Sequence, residues 1–232
     1  MITTSPGADA ATPPLRDPQA LRLPAALLHP HSAQIQAVYA LAGCSERQFQ
    51  HVYLALLTAL AGYLQALPAP TQPHTTLLAQ RLTAAQSVLF QRRALLLPVS
   101  ETPESSAQAA DLWTYLVFCL ALLYRLARDL DAWVITVWSH NTALGTWRPS
   151  LAPRGLLSVP QATHYSVQPA PTRPTADWTG LVAGALMPTL GLQWLWRDPL
   201  ATSAWMQALR SDLPTVLQPL FADLPFLTPG SL

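Results

Sequence analysis

The chain has 232 residues, 50% of them hydrophobic, which provides enough apolar material for a sizeable core and excludes a disordered chain. Charged residues make up 11% and the net charge is +1, so the composition does not favour strong nonspecific binding to nucleic acid or to an anionic membrane. All 13 basic residues are arginines. The absence of lysine excludes a Walker phosphate-binding loop and any Schiff-base or lysine general-base chemistry.

Proline, alanine and threonine dominate the first part of the chain, residues 1–24, which lacks an apolar core and therefore predicts a flexible leader without a signal peptide. We assign one domain to residues 25–222 and a tail to residues 223–232. The longest apolar run, residues 112–124, is shorter than the roughly 20 residues that span a bilayer. We therefore expect a cytoplasmic protein with no membrane span, whose oligomeric state the sequence does not fix.

Helical patterns occupy the first half of the predicted domain. Ser32 and Gly43 suit the two ends of one helix, and Ser45 suits the start of a second helix that continues to Pro68. The proline-rich residues 67–74 predict a turn or extended link, because proline restricts its own backbone and that of the residue before it. A third helix is expected to begin near Leu77.

A long helix that is apolar nearly all round its middle is predicted from Ser106, and it marks the centre of the core. Residues 133–138 are β-branched and aromatic and are followed by turn residues, which indicates a strand and a hairpin. Residues 163–168 form another extended segment, and helices resume after Pro174. The predicted fold class is therefore mainly α, with a small β-hairpin excursion.

Local catalytic signatures are missing from the sequence, including the nucleophile elbow, the dinucleotide-binding glycine pattern and the His-Glu-x-x-His pair. Of the six histidines, His29, His31 and His74 are the best placed to converge. Nothing in their spacing fixes a ligand geometry, so we expect ordinary surface histidines and no metal or other cofactor.

Several features in order resemble the TraI-type domain of the MobH relaxases, which are found in plasmids and integrating conjugative elements. Residues 67–69 (LPA) resemble the family's LPAS turn, and residues 92–98 (RRALLLP) resemble its arginine-rich stretch before YLLP. Residues 113–124 (WTYLVFCLALLY) match its W-x-Y-A-V-F-x-A-A-L-L-H pattern, and weaker matches continue to about residue 210. The resemblance implies a helical bundle like that of the HD phosphohydrolases, a metal-dependent enzyme family.

The sequence departs from that family where its metal ligands are expected. His74 remains from the first histidine cluster, whereas Gln80 replaces the next histidine and Tyr124-Arg125 replaces the His-Asp dyad. An arginine at a ligand aspartate inverts the charge offered to a divalent cation. We therefore predict that this is a pseudoenzyme with no catalytic residues, in which His74, Gln80, Tyr124 and Arg125 occupy degenerate metal positions.

Two interpretations of these residues are possible. Tyr124, Arg125 and Arg128 suit the solvated end of a core helix, where arginine favours the helix C-terminus. Alternatively, the arginines bind an anion such as a DNA phosphate, to which a guanidinium donates two hydrogen bonds. The candidate ligand or DNA contacts are then Arg125, Arg128, Arg81, His74 and Tyr124.

The function expected from the resemblance is that of a noncatalytic relaxase-like protein of conjugative transfer. Its expected partners are DNA-processing or transfer proteins, with weak nucleic-acid contact. Two alternatives remain open at this point, namely a metal-dependent nuclease or phosphodiesterase (a DNA relaxase) with atypical ligands, and a small-ligand-binding module.

Overall fold

The computed structural model describes residues 16–98, 103–151, 155–171 and 177–224. Within these ranges the α-helices, in chain order, are α1 (Pro24–Leu28), α2 (Ser32–Ala42), α3 (Glu46–Gln48), α4 (Ala55–Leu64), α5 (Leu77–Arg92), α6 (Pro103–Leu123), α7 (Leu126–Leu130), α8 (Thr179–Leu186), α9 (Thr189–Leu195), α10 (Pro199–Ala208) and α11 (Gln218–Phe221). The strands are β1 (Arg16–Ala20), β2 (Pro68–Ala69), β3 (Gln72–Thr76), β4 (Trp133–Ser139), β5 (Thr142–Trp147) and β6 (His164–Pro169).

The predicted fold class, a mainly α HD-like bundle with a hairpin excursion, is wrong. The described chain is a mixed α/β structure, 58% helical, with a four-stranded antiparallel sheet and a separate two-stranded sheet. In the larger sheet the strand order is β1-β6-β4-β5, so the predicted hairpin β4–β5 is half of an extended sheet. The other two strands, β1 and β6, pair with segments that are distant along the chain. The prediction failed because a local sequence pattern does not reveal such pairing.

Strand β1 shows this effect most clearly, because its sequence contains an Asp-Pro pair that is typical of turns. It pairs with β6, with Gln19 opposite Tyr165 and Ala20 opposite His164. Residues 16–20 therefore belong to the sheet, although we predicted them as part of a flexible leader. Residues 1–15 and 225–232 lie outside the described residues, so the remaining boundaries of the leader, domain and tail stay predictions.

Several predicted helix boundaries are confirmed. Gly43 ends α2 in the left-handed conformation (φ 64°), and its N–H donates to the carbonyl of Tyr39. The Ser45 side chain accepts a hydrogen bond from the N–H of Gln48 at the start of α3. A π-helical turn at Phe49–Leu54 joins α3 to α4.

Helix α6 lies at the centre of a single hydrophobic core, as predicted. Each residue from position 115 to position 123 is completely buried, and α6 packs along α5. Within the described residues, the stretch Ala109–Leu130 is long and apolar enough to cross a membrane, but 72% of its most apolar window is buried in the fold. This burial is typical of the core helix of a soluble protein.

Candidate functional site

The predicted dyad position, Tyr124-Arg125, lies in the link between α6 and α7. Arg125 adopts a left-handed backbone conformation (φ 54°), which ends α6 and lets α7 start in a new direction. Left-handed residues other than glycine are uncommon, and they are often found where the surrounding structure fixes the chain. The link therefore positions two adjacent side chains at the end of the core helix.

Tyr124 is almost completely buried and is held by hydrogen bonds at both ends. Its hydroxyl donates to the backbone carbonyl of Ser211 at 3.1 Å, and its own carbonyl accepts from Nη1 of Arg81 at 2.8 Å. Burial raises the pKa of Tyr124, although the neighbouring charges of Arg125 and Arg128 oppose that rise. The phenol is therefore a neutral hydrogen-bond donor that connects α6 with the segment after α10.

Arg81 has no exposed surface, although the sequence suggested it as a DNA contact. Its Nη2 lies 2.5 Å from Oδ2 of Asp129, in an ion pair that joins α5 to α7. A fully buried, paired guanidinium connects helices and cannot reach a phosphate from solvent. Arg81 therefore stabilises the packing of α5 against α7 and does not contribute to the protein surface.

Asp177 and Ser211, which the sequence did not suggest as site residues, complete this joint. Oδ1 of Asp177 accepts from the N–H of Thr179 at 2.9 Å, and its Oδ2 accepts from the hydroxyl of Ser211. Burial acts to raise the pKa of Asp177, but the hydrogen bonds from Ser211 and Thr179 and the charge of Arg125 outweigh it, so the pKa is lowered. Asp177 lies two residues before the start of α8, and aspartate is common just before helices, so its sequence position suggested a helix start and no site.

The start of α8 is attached to α7 by two further contacts. The hydroxyl of Thr179 accepts from the N–H of Ala127 at 3.2 Å, and the indole of Trp178 donates to Asp131 at 2.9 Å. Burial raises the pKa of Asp131, while the hydrogen bond from Trp178 opposes that shift. We refer to Tyr124, Arg125, Asp177, Thr179 and Ser211 together as the α6–α7 joint.

Arg125 and Arg128 are the predicted contacts that reach the surface here. Arg128 is exposed and Arg125 is partly buried, with its guanidinium carbon 5.2 Å from the centre of the Tyr124 ring. The Nε of Arg125 is buried and forms no hydrogen bond within the described residues. Both arginines lie close enough to Tyr124 for their charges to act against the rise of its pKa.

His74 and Gln80 lie apart from this joint. Gln80 is buried, and its side chain donates to the hydroxyl of Thr71 at 2.9 Å. His74 is exposed on β3 and lines a separate cleft together with His31. The predicted site residues therefore divide between two places in the fold.

The positions of the histidines, cysteines and carboxylates bear on metal binding. No group of three His, Cys, Asp or Glu side chains in the described ranges is close enough to hold a metal ion. His31 and His74 do share a cleft, but His29 does not line it. The metal content of the protein stays a prediction for direct measurement.

Comparison with known proteins identifies the family. The family model TraI_2, described as "Putative helicase", matches residues 22–201. The chain matches no curated protein. The family match covers most of the chain, including α5, α6 and every residue of the α6–α7 joint except Ser211, and it agrees with the resemblance found in the sequence. The chain belongs to the TraI_2 family.

Proposed function

We propose that this protein is a noncatalytic, relaxase-like member of its family that acts in conjugative DNA processing in the cytoplasm. In this proposal it binds DNA weakly and contacts other DNA-processing or transfer proteins. Membership of the TraI_2 family supports the link with conjugative DNA processing. The noncatalytic role is our own inference from the α6–α7 joint.

The proposal rests on the contacts that Tyr124 and Arg125 form inside the fold. The tyrosine hydroxyl donates to the Ser211 carbonyl, and Arg125 packs over the tyrosine ring and lowers the pKa of Asp177 by its charge. Both side chains therefore stabilise the connection between helices. A phenol and a guanidinium at this position offer no ligand pair for a divalent cation.

The exposed side of the same joint supports nucleic-acid contact by Arg125 and Arg128. Guanidinium groups form strong, geometrically defined hydrogen bonds with phosphate oxygens. Two such contacts give weak, sequence-tolerant and salt-sensitive binding, because phosphate contacts carry no direct sequence information. The nearby carboxylates Asp177 and Asp131 limit the positive potential of this surface.

The noncatalytic role is tested by elemental analysis and by a phosphodiesterase assay on the purified full chain. We expect no stoichiometric zinc, manganese or iron, and no cleavage of single-stranded or duplex DNA when these metals or magnesium are added. One equivalent of a bound metal that is lost in a His74→Ala variant, or cleavage that depends on such a metal, would support the enzyme alternative and overturn the proposal.

DNA contact is tested by measuring the affinity for a short duplex at several salt concentrations. Two phosphate contacts predict a slope of log affinity against log salt of roughly −2, which Arg125→Ala should change to about −1. Arg47, an exposed arginine on α3, provides the matched control, and Arg47→Ala should leave the slope unchanged. Absence of binding at low salt, or equal slopes for all three proteins, would remove DNA from the proposal.

A further inference from the structure

A cleft of about 390 Å³ separates the chain segment before α1 from the start of α5. Three basic residues line it, Arg22, His31 and His74, together with Thr75 and Thr76. No aspartate or glutamate is among its lining residues. The chain as a whole has nearly equal numbers of acidic and basic residues. The described lining of this cleft, in contrast, contains basic and hydrogen-bonding residues and no carboxylate.

The backbone of Arg22 is fixed at the edge of the cleft by a single side chain. The N–H of Arg22 donates to Oε1 of Gln65 at 2.8 Å, and its carbonyl accepts from Nε2 of Gln65 at 3.1 Å. Gln65 is itself buried, and its Nε2 also donates to the carbonyl of Gly62. Arg22 is exposed and forms no ion pair within the described residues, so its charge is available to a ligand.

A chain of hydrogen bonds orients the ring of His31. Nε2 of Gln34 donates to the hydroxyl of Thr83 at 3.2 Å, which turns the amide oxygen of Gln34 toward Nδ1 of His31 at 2.9 Å. Since that oxygen can only accept, Nδ1 carries the proton and Nε2 is left for a ligand. When both ring nitrogens carry a proton, His31 donates from Nε2 to an anion while Nδ1 keeps its bond to Gln34.

We propose that this cleft binds a phosphate monoester group, with Arg22 as the main anchor and His31 and His74 as further donors. The guanidinium matches the paired oxygens of a phosphate, and a monoester carries more charge per group than an internal diester. The cleft volume lies within the usual range for small-molecule sites, roughly 300–1,000 Å³. This site is distinct from the α6–α7 joint and does not depend on the proposed function.

Isothermal titration of the full chain with deoxyadenosine monophosphate and with deoxyadenosine tests the proposal. We expect the 5′-monophosphate to bind and the nucleoside to bind at least about tenfold more weakly, because a hydrogen bond to a charged group contributes roughly that factor. Arg22→Ala should weaken binding of the monophosphate by a similar factor while its backbone contacts with Gln65 remain. His31→Ala should weaken it by a smaller factor.

Two further variants complete the test. His29 lies two residues from His31 and does not line the cleft, so His29→Ala should bind like the unchanged protein. Arg22→Gln, which keeps a polar side chain of similar length, replaces Arg22→Ala if the alanine variant has a lower melting temperature. Equal affinity for the two ligands, or unchanged binding in a folded Arg22 variant, would overturn the proposal.

The source of the phosphate is resolved by competition against bound monophosphate. A 5′-phosphorylated hexathymidylate that displaces it, when the 5′-hydroxyl strand does not, identifies a phosphorylated DNA end. Displacement by inorganic phosphate alone identifies a free phosphate or a small phosphate ester. Both results support a phosphate site, whereas displacement by both strands alike would show binding through the DNA backbone or bases and would contradict a terminal monoester site.

Discussion

Breaking the buried ion pair between Arg81 and Asp129 should destabilise the protein strongly. Arg81 is completely buried, and it donates both to Asp129 and to the carbonyl of Tyr124. The substitution Arg81→Met removes the cation with little loss of side-chain volume. It leaves the Asp129 carboxylate buried without its cation and the Tyr124 carbonyl without a donor.

The expected loss is about 3–5 kcal/mol of unfolding free energy, because an unpaired buried charge loses its partner's attraction and keeps its desolvation penalty. Asp129→Leu should cost a similar amount, since it removes the carboxylate that pairs with the buried guanidinium of Arg81. The double variant should cost clearly less than the sum of the two single variants, because neither charge remains in it. The difference measures the coupling between the two residues.

Urea unfolding followed by far-ultraviolet circular dichroism gives the free energies of all four proteins. Arg47→Met is the matched control, and it should change stability by less than about 0.5 kcal/mol because Arg47 is exposed. Additive losses in the double variant, or a loss below about 1 kcal/mol for Arg81→Met, would refute the role of this pair as the buried link between α5 and α7.

Three further effects follow from burial, strand pairing and ionisation. Leu120→Ala should cost roughly 2–5 kcal/mol in the same unfolding assay, since Leu120 is completely buried in α6, and a negligible effect would contradict its place in the core. Deleting residues 1–24 removes β1 and also Arg22, whose backbone is hydrogen-bonded to Gln65. The melting temperature should therefore fall, by about 2–4 °C for each kcal/mol of unfolding free energy lost. An unchanged melting temperature would show that these residues form a flexible leader, as the sequence predicted. Asp177 has a lowered pKa in the folded state, so its stabilising contribution is present above its unfolded pKa of about 3.9 and is lost as the pH falls through the folded value. The Asp177→Asn variant should therefore have a lower free energy of unfolding at pH 7 than the unchanged protein, and this free energy should fall less between pH 5 and pH 2. Parallel curves of unfolding free energy against pH for the two proteins would exclude this contribution.

Local rules predicted the helices well because their ends depend on nearby residues. The Ser45 cap and the Gly43 stop each involve atoms within four residues along the chain, and both are observed. Strand β1 depends instead on β6, about 150 positions later, and its own sequence favours a turn. The predicted sheet therefore had too few strands, although the sequence pattern did predict β4 and β5.

The candidate site was predicted less well, because the same residue type serves opposite roles in different surroundings. Arginine is usually exposed, so Arg81 was grouped with the possible phosphate contacts. Its position in the sequence nevertheless indicates burial. Arg81 follows Leu77 by four residues and precedes Ala85 by four, so it lies on the apolar face of α5. Its partner Asp129 is 48 positions away, a pairing that the periodicity of one helix does not reveal.

Arg125 connects the stability of the α6–α7 joint with the proposed DNA contact. Its charge adds to the hydrogen bonds from Ser211 and Thr179 that lower the pKa of Asp177, and its guanidinium packs on the Tyr124 ring. Arg125 therefore already interacts with groups inside the protein. A phosphate that approaches Arg125 competes with the Asp177 carboxylate for the same charge. Arg128 is more exposed than Arg125, so we expect it to contribute more than Arg125 to the proposed phosphate contact. If the proposed DNA contact exists, we therefore expect it to be weak, because Arg125 also contributes its charge to the connection between the helices.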